Sequence, residues 1–100
     1  MIEIEKISGI GKFETKKEKV GERERKLFLV EEKVFLVENK NTLEVRCDGK
    51  LSKLLRGKYE SVMMSRYFGR GGIEIVDSGQ LEKTEIEDLI RLSYNLSREK

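Results

Sequence analysis

"KLFLVEEKVFLVENKNTLEVRC", residues 26 to 47, decides the fold. It holds three short runs rich in Val, Leu and Phe, separated by "EEK" and "NKN". Runs of this kind read as strands, and polar separators this short join neighbours in an antiparallel sense, so the stretch predicts a meander. Upstream, "GKFETKKEKVGERER" (residues 11 to 25) alternates more loosely, with Phe13 and Val20 its only large apolar residues. It suits a solvated edge strand whose lysines discourage pairing with another sheet, with Gly21 at the turn into the next strand.

Past residue 47 the period changes. In "DGKLSKLLRGK" (residues 48 to 58), Leu51, Leu54 and Leu55 recur at i, i+3 and i+4, Asp48 is placed to cap, and Gly57 suits a left-handed close. A short helix over 49–57 is expected, with Lys50, Lys53 and Arg56 opposite the leucine stripe. A second helix is expected over 84–97 in "TEIEDLIRLSYNLSREK". Thr84 and Glu87 have capping-box spacing, Ile86, Leu89, Ile90 and Tyr94 form an apolar stripe, and Glu87 can pair with Arg91. The fold class is therefore α+β: an antiparallel sheet packed on one face by helices, in a single domain spanning 1–100.

Composition narrows the function. The chain has 100 residues, 37% hydrophobic and 40% charged, which is too apolar for a disordered tail and too charged for a bilayer span. We expect a soluble, cytoplasmic protein without a membrane partner. The lone Cys47 forms no internal disulfide and reads as a buried strand residue. Histidine is absent, which removes the commonest metal ligand and the side chain that most often moves protons near neutral pH. The acidic residues lie scattered beside lysines, a pattern that predicts no buried carboxylate pair. "ISGIGKFET" (residues 7 to 15) imitates a phosphate-binding P-loop at Gly11-Lys12, but it lacks the upstream glycine and has Phe13 where a Ser or Thr belongs. No catalytic residue, metal, cofactor or small-molecule substrate is expected.

Charge is more informative. The net +2 hides a polarity along the chain: residues 1–45 cancel, residues 46–70 sum to +5, residues 71–90 to −5 and the last ten to +2. The basic and acidic segments either neutralise each other across the fold or leave an exposed cationic face for phosphate. "SRYFGRGGIEI" (residues 65 to 75) adds Arg66 and Arg70 as forked donors, Tyr67 or Phe68 as a stacking surface, and glycines that let backbone N–H groups approach an anion. The same segment also reads as a turn into a strand, with Tyr67, Phe68, Met63 and Met64 as core.

"KVFLV", then "LEVRCDGKLSKLLRGKYESVMMSRYF", an Ile-Glu-Ile strand and "EDLIRLSYNL" together resemble the MmcQ/YjbR family of small bacterial and archaeal proteins. Lys33, Phe35, Asp48, Leu54, Leu55, Tyr59, Ser93 and Tyr94 occupy the places of that pattern, over about residues 33 to 97. The resemblance implies an α+β fold like frataxin-type and type III secretion chaperone-like domains, and the family is usually labelled DNA-binding. Two features depart from it. Only about seven residues precede "SGIG", where members carry a full helix, which leaves a dimer partner as one cover for that part of the sheet. "SRYFGRGGI" also stands where members have an Asn-Lys-x-x-Trp loop.

The leading expectation is a nucleic-acid-binding protein, DNA before RNA, gripping phosphates with Lys50, Lys53, Arg56, Lys58, Arg66, Tyr67 and Arg70. The alternative is a protein-interaction or chaperone-like module, including a homodimer. An enzyme acting on a small phosphorylated compound through Arg66, Arg70 and Tyr67 is the least favoured.

Overall fold

The computed structural model describes residues 3–98. Six strands form one fully antiparallel sheet: β1 (Glu14–Val20), β2 (Arg23–Val30), β3 (Lys33–Glu38), β4 (Thr42–Arg46), β5 (Val62–Ser65) and β6 (Gly69–Val76). Helices α1 (Gly49–Lys58) and α2 (Lys83–Arg98) complete the α+β fold. The spatial order is β1-β2-β3-β4-β6-β5. The expected meander therefore holds through β4, after which α1 carries the chain past the place of β6 to the far edge and β6 returns between β4 and β5.

Both helices pack on one face. Their side chains Leu51, Leu55, Tyr59, Ile86, Leu89, Ile90 and Tyr94 join Phe28, Phe35, Leu36, Val45, Ile73 and Ile75 in the main core. Phe35 is fully buried, with its ring edge-on to Tyr94 at 5.1 Å and to Phe28 at 6.3 Å. Burying a side chain of this size stabilises by about 1.5–3 kcal/mol. Four consecutive buried residues on β3, Val34 to Val37, defy strict alternation. The cause is a bulge: Leu29 pairs with Val34 and Phe28 with Leu36, so Phe35 is an extra residue. Phe35 and Leu36 both enter the main core, while Val34 and Val37 join the cluster on the opposite face. Ser93 of α2 pins the bulge, donating from Oγ to the Phe35 carbonyl (2.5 Å) and accepting the Arg46 N–H (2.8 Å).

Several helical details differ from the sequence expectation. In α1, Asp48 does cap, accepting the Leu51 N–H at 3.0 Å. The helix is rolled about its axis, however: Ser52 is its fully buried residue, donating from Oγ toward the Gly72 carbonyl, while Leu54 is 66% exposed. A small residue at the centre lets the helix approach β6 closely, which turns the leucine stripe partly outward. Gly57 stays inside the helix, which closes at Tyr59 in an extended conformation. In α2, the first turn begins at Lys83, and Glu85 rather than a Thr84–Glu87 box takes the Glu82 N–H. Arg91 pairs with Asp88, not Glu87, and also donates to the Ser8 carbonyl. The amino-terminal segment forms a single 3-10 turn (Ile4–Lys6) that buries Ile4 and Ile7 in the main core.

The β2–β3 turn carries a testable strain. Val30 pairs with Lys33, and both intervening residues, Glu31 (φ 50°) and Glu32 (φ 70°), lie in the left-handed region. Such two-residue turns suit Asn-Gly, because an L side chain there loses roughly 1–2 kcal/mol per residue. Glu31→Asn combined with Glu32→Gly is expected to raise stability by about 1–2 kcal/mol, read as a rise in thermal midpoint of roughly 5 °C or more.

Candidate nucleic-acid interface on the open sheet face

The face away from the helices carries a smaller apolar cluster, Leu27, Val34 and Val37, with Leu29 and Phe68 against it. Phe68 arrives from the β5–β6 connection, which folds back over this face. Its N–H donates to Ser65 Oγ at 2.9 Å, and the Arg46 guanidinium lies 4.9 Å over its ring. "SRYFGRGG" thus forms a compact turn. The Gly71 N–H is used by the Phe68 carbonyl, its carbonyl accepts the Cys47 N–H, and Gly72 is buried beneath Phe68.

Beneath this turn lies a pair of buried carboxylates, which corrects the expectation that none exists. Glu44 of β4 and Glu74 of β6 are direct cross-strand partners, 1% and 4% exposed. Directly opposed like charges destabilise a sheet unless their surroundings compensate. Glu44 accepts from Ser65 Oγ and the Tyr67 N–H, both at 2.8 Å, and from Asn39 Nδ2 at 2.9 Å. Glu74 accepts from Thr42 Oγ1 at 2.7 Å and from the Arg66 fork at 2.8 and 3.0 Å. Burial by itself raises the Glu44 pKa, but the donors Asn39, Tyr67 N–H and Ser65, with the Arg66 charge, outweigh it and hold the carboxyl below the ordinary glutamate value. The hydrogen bonds to Glu74 push the Arg66 guanidinium above its usual range. Among the described residues, no buried side-chain nitrogen or oxygen lacks a partner.

Strand lengths create a concavity. β2 pairs with β1 out to Arg23, but with β3 only from Lys26 onward. The tip of the β1–β2 hairpin is therefore a two-stranded ribbon, standing about 10 Å beyond Lys26 at the usual rise per residue. Gly21 makes its two-residue turn at φ 64°. Between the ribbon and the β3–β4 turn lies a cleft of 1070 Å³ with Arg66 on its wall. Seven cations line it (Lys17, Lys19, Arg23, Arg25, Lys26, Lys40, Arg66) against four carboxylates (Glu18, Glu22, Glu24, Glu38). Arg25 is ion-paired with Glu18, and its guanidinium lies 5.1 Å from the centre of the half-exposed Tyr67 ring.

The expected basic face is divided by this arrangement. Arg66 and Tyr67 belong to the open face, with Arg66 beside the cleft. Lys50 and Lys53 are exposed on α1, on the far side of the sheet, and Lys58 lies at the end of that helix with Nζ 5.2 Å from the Tyr59 ring centre. Arg56 is half-buried and donates to Ser52 Oγ at 3.2 Å, so it does not project outward as the stripe implied. Arg70 is exposed near the start of β6. Neutralisation between the basic segment and the acidic one occurs among the described ion pairs only at Arg66–Glu74. Met63 and Met64, 42% and 43% exposed, lie on the edge strand β5 instead of in the core. Cys47 is buried, and burial together with the Asp48 charge pushes its thiol up to about 11, so it is not a thiolate at neutral pH. Among the described residues no cluster of His, Cys, Asp or Glu is arranged to hold a metal, and no helix is long and apolar enough to cross a membrane.

Comparison with family models, curated proteins and solved structures gives no match.

Proposed function

We propose that this chain is a nucleic-acid-binding module whose ligand is duplex DNA, engaged by the β1–β2 ribbon and the cleft at its base. The observation that carries this reading is the excess of cations over carboxylates around the cleft at the root of a projecting two-stranded ribbon. A two-stranded ribbon fits the width of the major groove, and lysines and arginines flanking it suit the phosphates on either side. Tyr67 and Arg66 stand beside that path. The reading is one of binding and not catalysis. Glu44, which borders a small recess with Arg23, Arg25 and Arg66, is kept ionised, whereas a general acid near neutral pH needs a raised pKa.

Fluorescence anisotropy with a labelled duplex at two salt concentrations tests it. Lys19→Glu combined with Arg23→Glu is expected to weaken binding at least about tenfold at low salt and to flatten the salt slope by about two. Lys50→Glu combined with Lys53→Glu, on the other side of the sheet, is expected to change affinity by less than about threefold. If the α1 pair carries the loss instead, the contact surface is the helix; if the wild-type chain shows no salt-dependent affinity, the nucleic-acid reading fails. A second reading, a protein-interaction module, is favoured by one observation, the uncharged β5 edge with its half-exposed methionines.

A further inference from the structure

The two edges of the sheet are built differently. β1 carries Glu14, Lys16, Lys17, Glu18 and Lys19, charges on both faces that blunt strand addition. β5, "VMMS", carries none. By register, Met63 shares the open face with Glu74 and Met64 the helix face with Ile73, and both are half-exposed. Leu54, the most exposed large apolar side chain among the described residues, lies on α1, the helix that packs on β5 and β6. Exposed apolar surface is thus gathered at an edge strand that pairs only with β6, its Val62 N–H being held by the Tyr59 carbonyl. Its flanks differ in sign: exposed Glu60 precedes the strand, and exposed Arg70 follows it, beyond Arg66, whose fork is held by Glu74.

We infer that β5 pairs antiparallel with β5 of a second copy, joining two sheets across a two-fold axis. Only the antiparallel arrangement sets Glu60 of one copy toward Arg70 of the other, and symmetry makes that contact twice. The same axis brings the methionines of the two copies together, and Leu54 widens the apolar contact on the helix side. A second copy fits better than an unrelated strand because the edge is self-complementary in both charge and hydrophobicity. The paired strand is four residues long, which implies a weak, concentration-dependent dimer and not an obligate one. The ribbons lie at the opposite edges, and Glu60, Met64 and Arg70, on which this inference is tested, are not among the residues that line the cleft, so it does not depend on the nucleic-acid reading.

Sedimentation equilibrium across a wide range of protein concentration tests the inference. A monomer–dimer equilibrium is expected, and Met64→Lys is expected to weaken it at least about tenfold while the circular dichroism spectrum stays unchanged. Glu60→Arg and Arg70→Glu are each expected to weaken the dimer, and the two together to restore it. Met64→Cys supplies a second readout that tolerates weak affinity: oxidation is expected to cross-link it efficiently, while Val20→Cys at the far edge cross-links poorly and native Cys47 stays buried. A monomer up to millimolar protein, a dimer unaffected by Met64→Lys, or equal cross-linking at both edges would overturn the proposal. So would a monomer that captures only a foreign extended peptide at β5.

Discussion

Replacing Glu44 with alanine is expected to destabilise the fold by about 4 kcal/mol at neutral pH, a large fraction of what holds a domain of this size together. The substitution removes the shared acceptor of Ser65 Oγ, the Tyr67 N–H and Asn39 Nδ2. All three come from the turns that shape the open face, so the loss falls on the β5–β6 connection and the β3–β4 turn together. Glu44→Gln keeps the shape but turns a nitrogen toward the Asn39 amide, and is expected to lose about 1.5–3 kcal/mol. The pH dependence separates charge from shape. The folded pKa of Glu44 lies below its ordinary 4.5, so the ionised carboxylate stabilises fully above about that pH. This contribution is lost as pH falls through the folded value. Urea denaturation at several pH values is therefore expected to show a wide gap between wild type and Glu44→Gln at pH 7 that narrows below pH 4.5. A gap constant across that range would mean that the carboxylate charge contributes nothing.

Gly72→Ala is expected to destabilise by about 3 kcal/mol, although it adds one methyl group. A Cβ at this position would stand 2.6 Å from Phe68 Cβ and 2.6 Å from the Val45 carbonyl oxygen. The carbonyl belongs to a central strand and cannot retreat, so Phe68 is the group displaced. Lifting Phe68 uncovers Leu27, Val34 and Val37 and breaks its contact with Arg46. Tyr67 and Arg66 move with it. If the open face forms part of the DNA contact, affinity falls along with stability. Amide spectra with shifts confined to residues near 25–29, 44–46 and 65–74 would support local displacement, while a stability within about 0.5 kcal/mol of wild type would show that the turn yields freely.

The sequence carried the meander, both helices and the single-sided packing because each depends on a local period that the core then reinforces. What it concealed depended on relations between distant segments. β5 hides in "VMMS", four residues without polar separators, whose apolar character reads as core although they form an edge. Glu44 and Glu74 sit in "LEV" and "IEI", where alternation correctly turns the glutamates away from the helix core. Their burial comes from the turn at 65–68 folding back over that side, which no period encodes. One cue was available: the two triplets share one pattern, a lone acid between large apolar residues on strands that turn out to be partners. In α1, a ten-residue helix allowed several rolls, and Ser52 decided among them because it lets the helix sit close to β6. The ribbon and cleft follow from unequal lengths of pairing on the two sides of β2, a property of the assembled sheet.

The extra residue at Phe35 gives the molecule a means of steering. A bulge bends and coils the strands that cross it, and this one lies three residue pairs short of the point where the β1–β2 ribbon leaves the sheet. Because Ser93 clamps the kink from the helix side, the angle at which the ribbon leaves the body is set by residues that do not line the cleft. Shortening β3 by one residue at this point, or loosening its clamp with Ser93→Gly, would swing the ribbon relative to the β3–β4 turn and resize the gap between them, with every cation still in place.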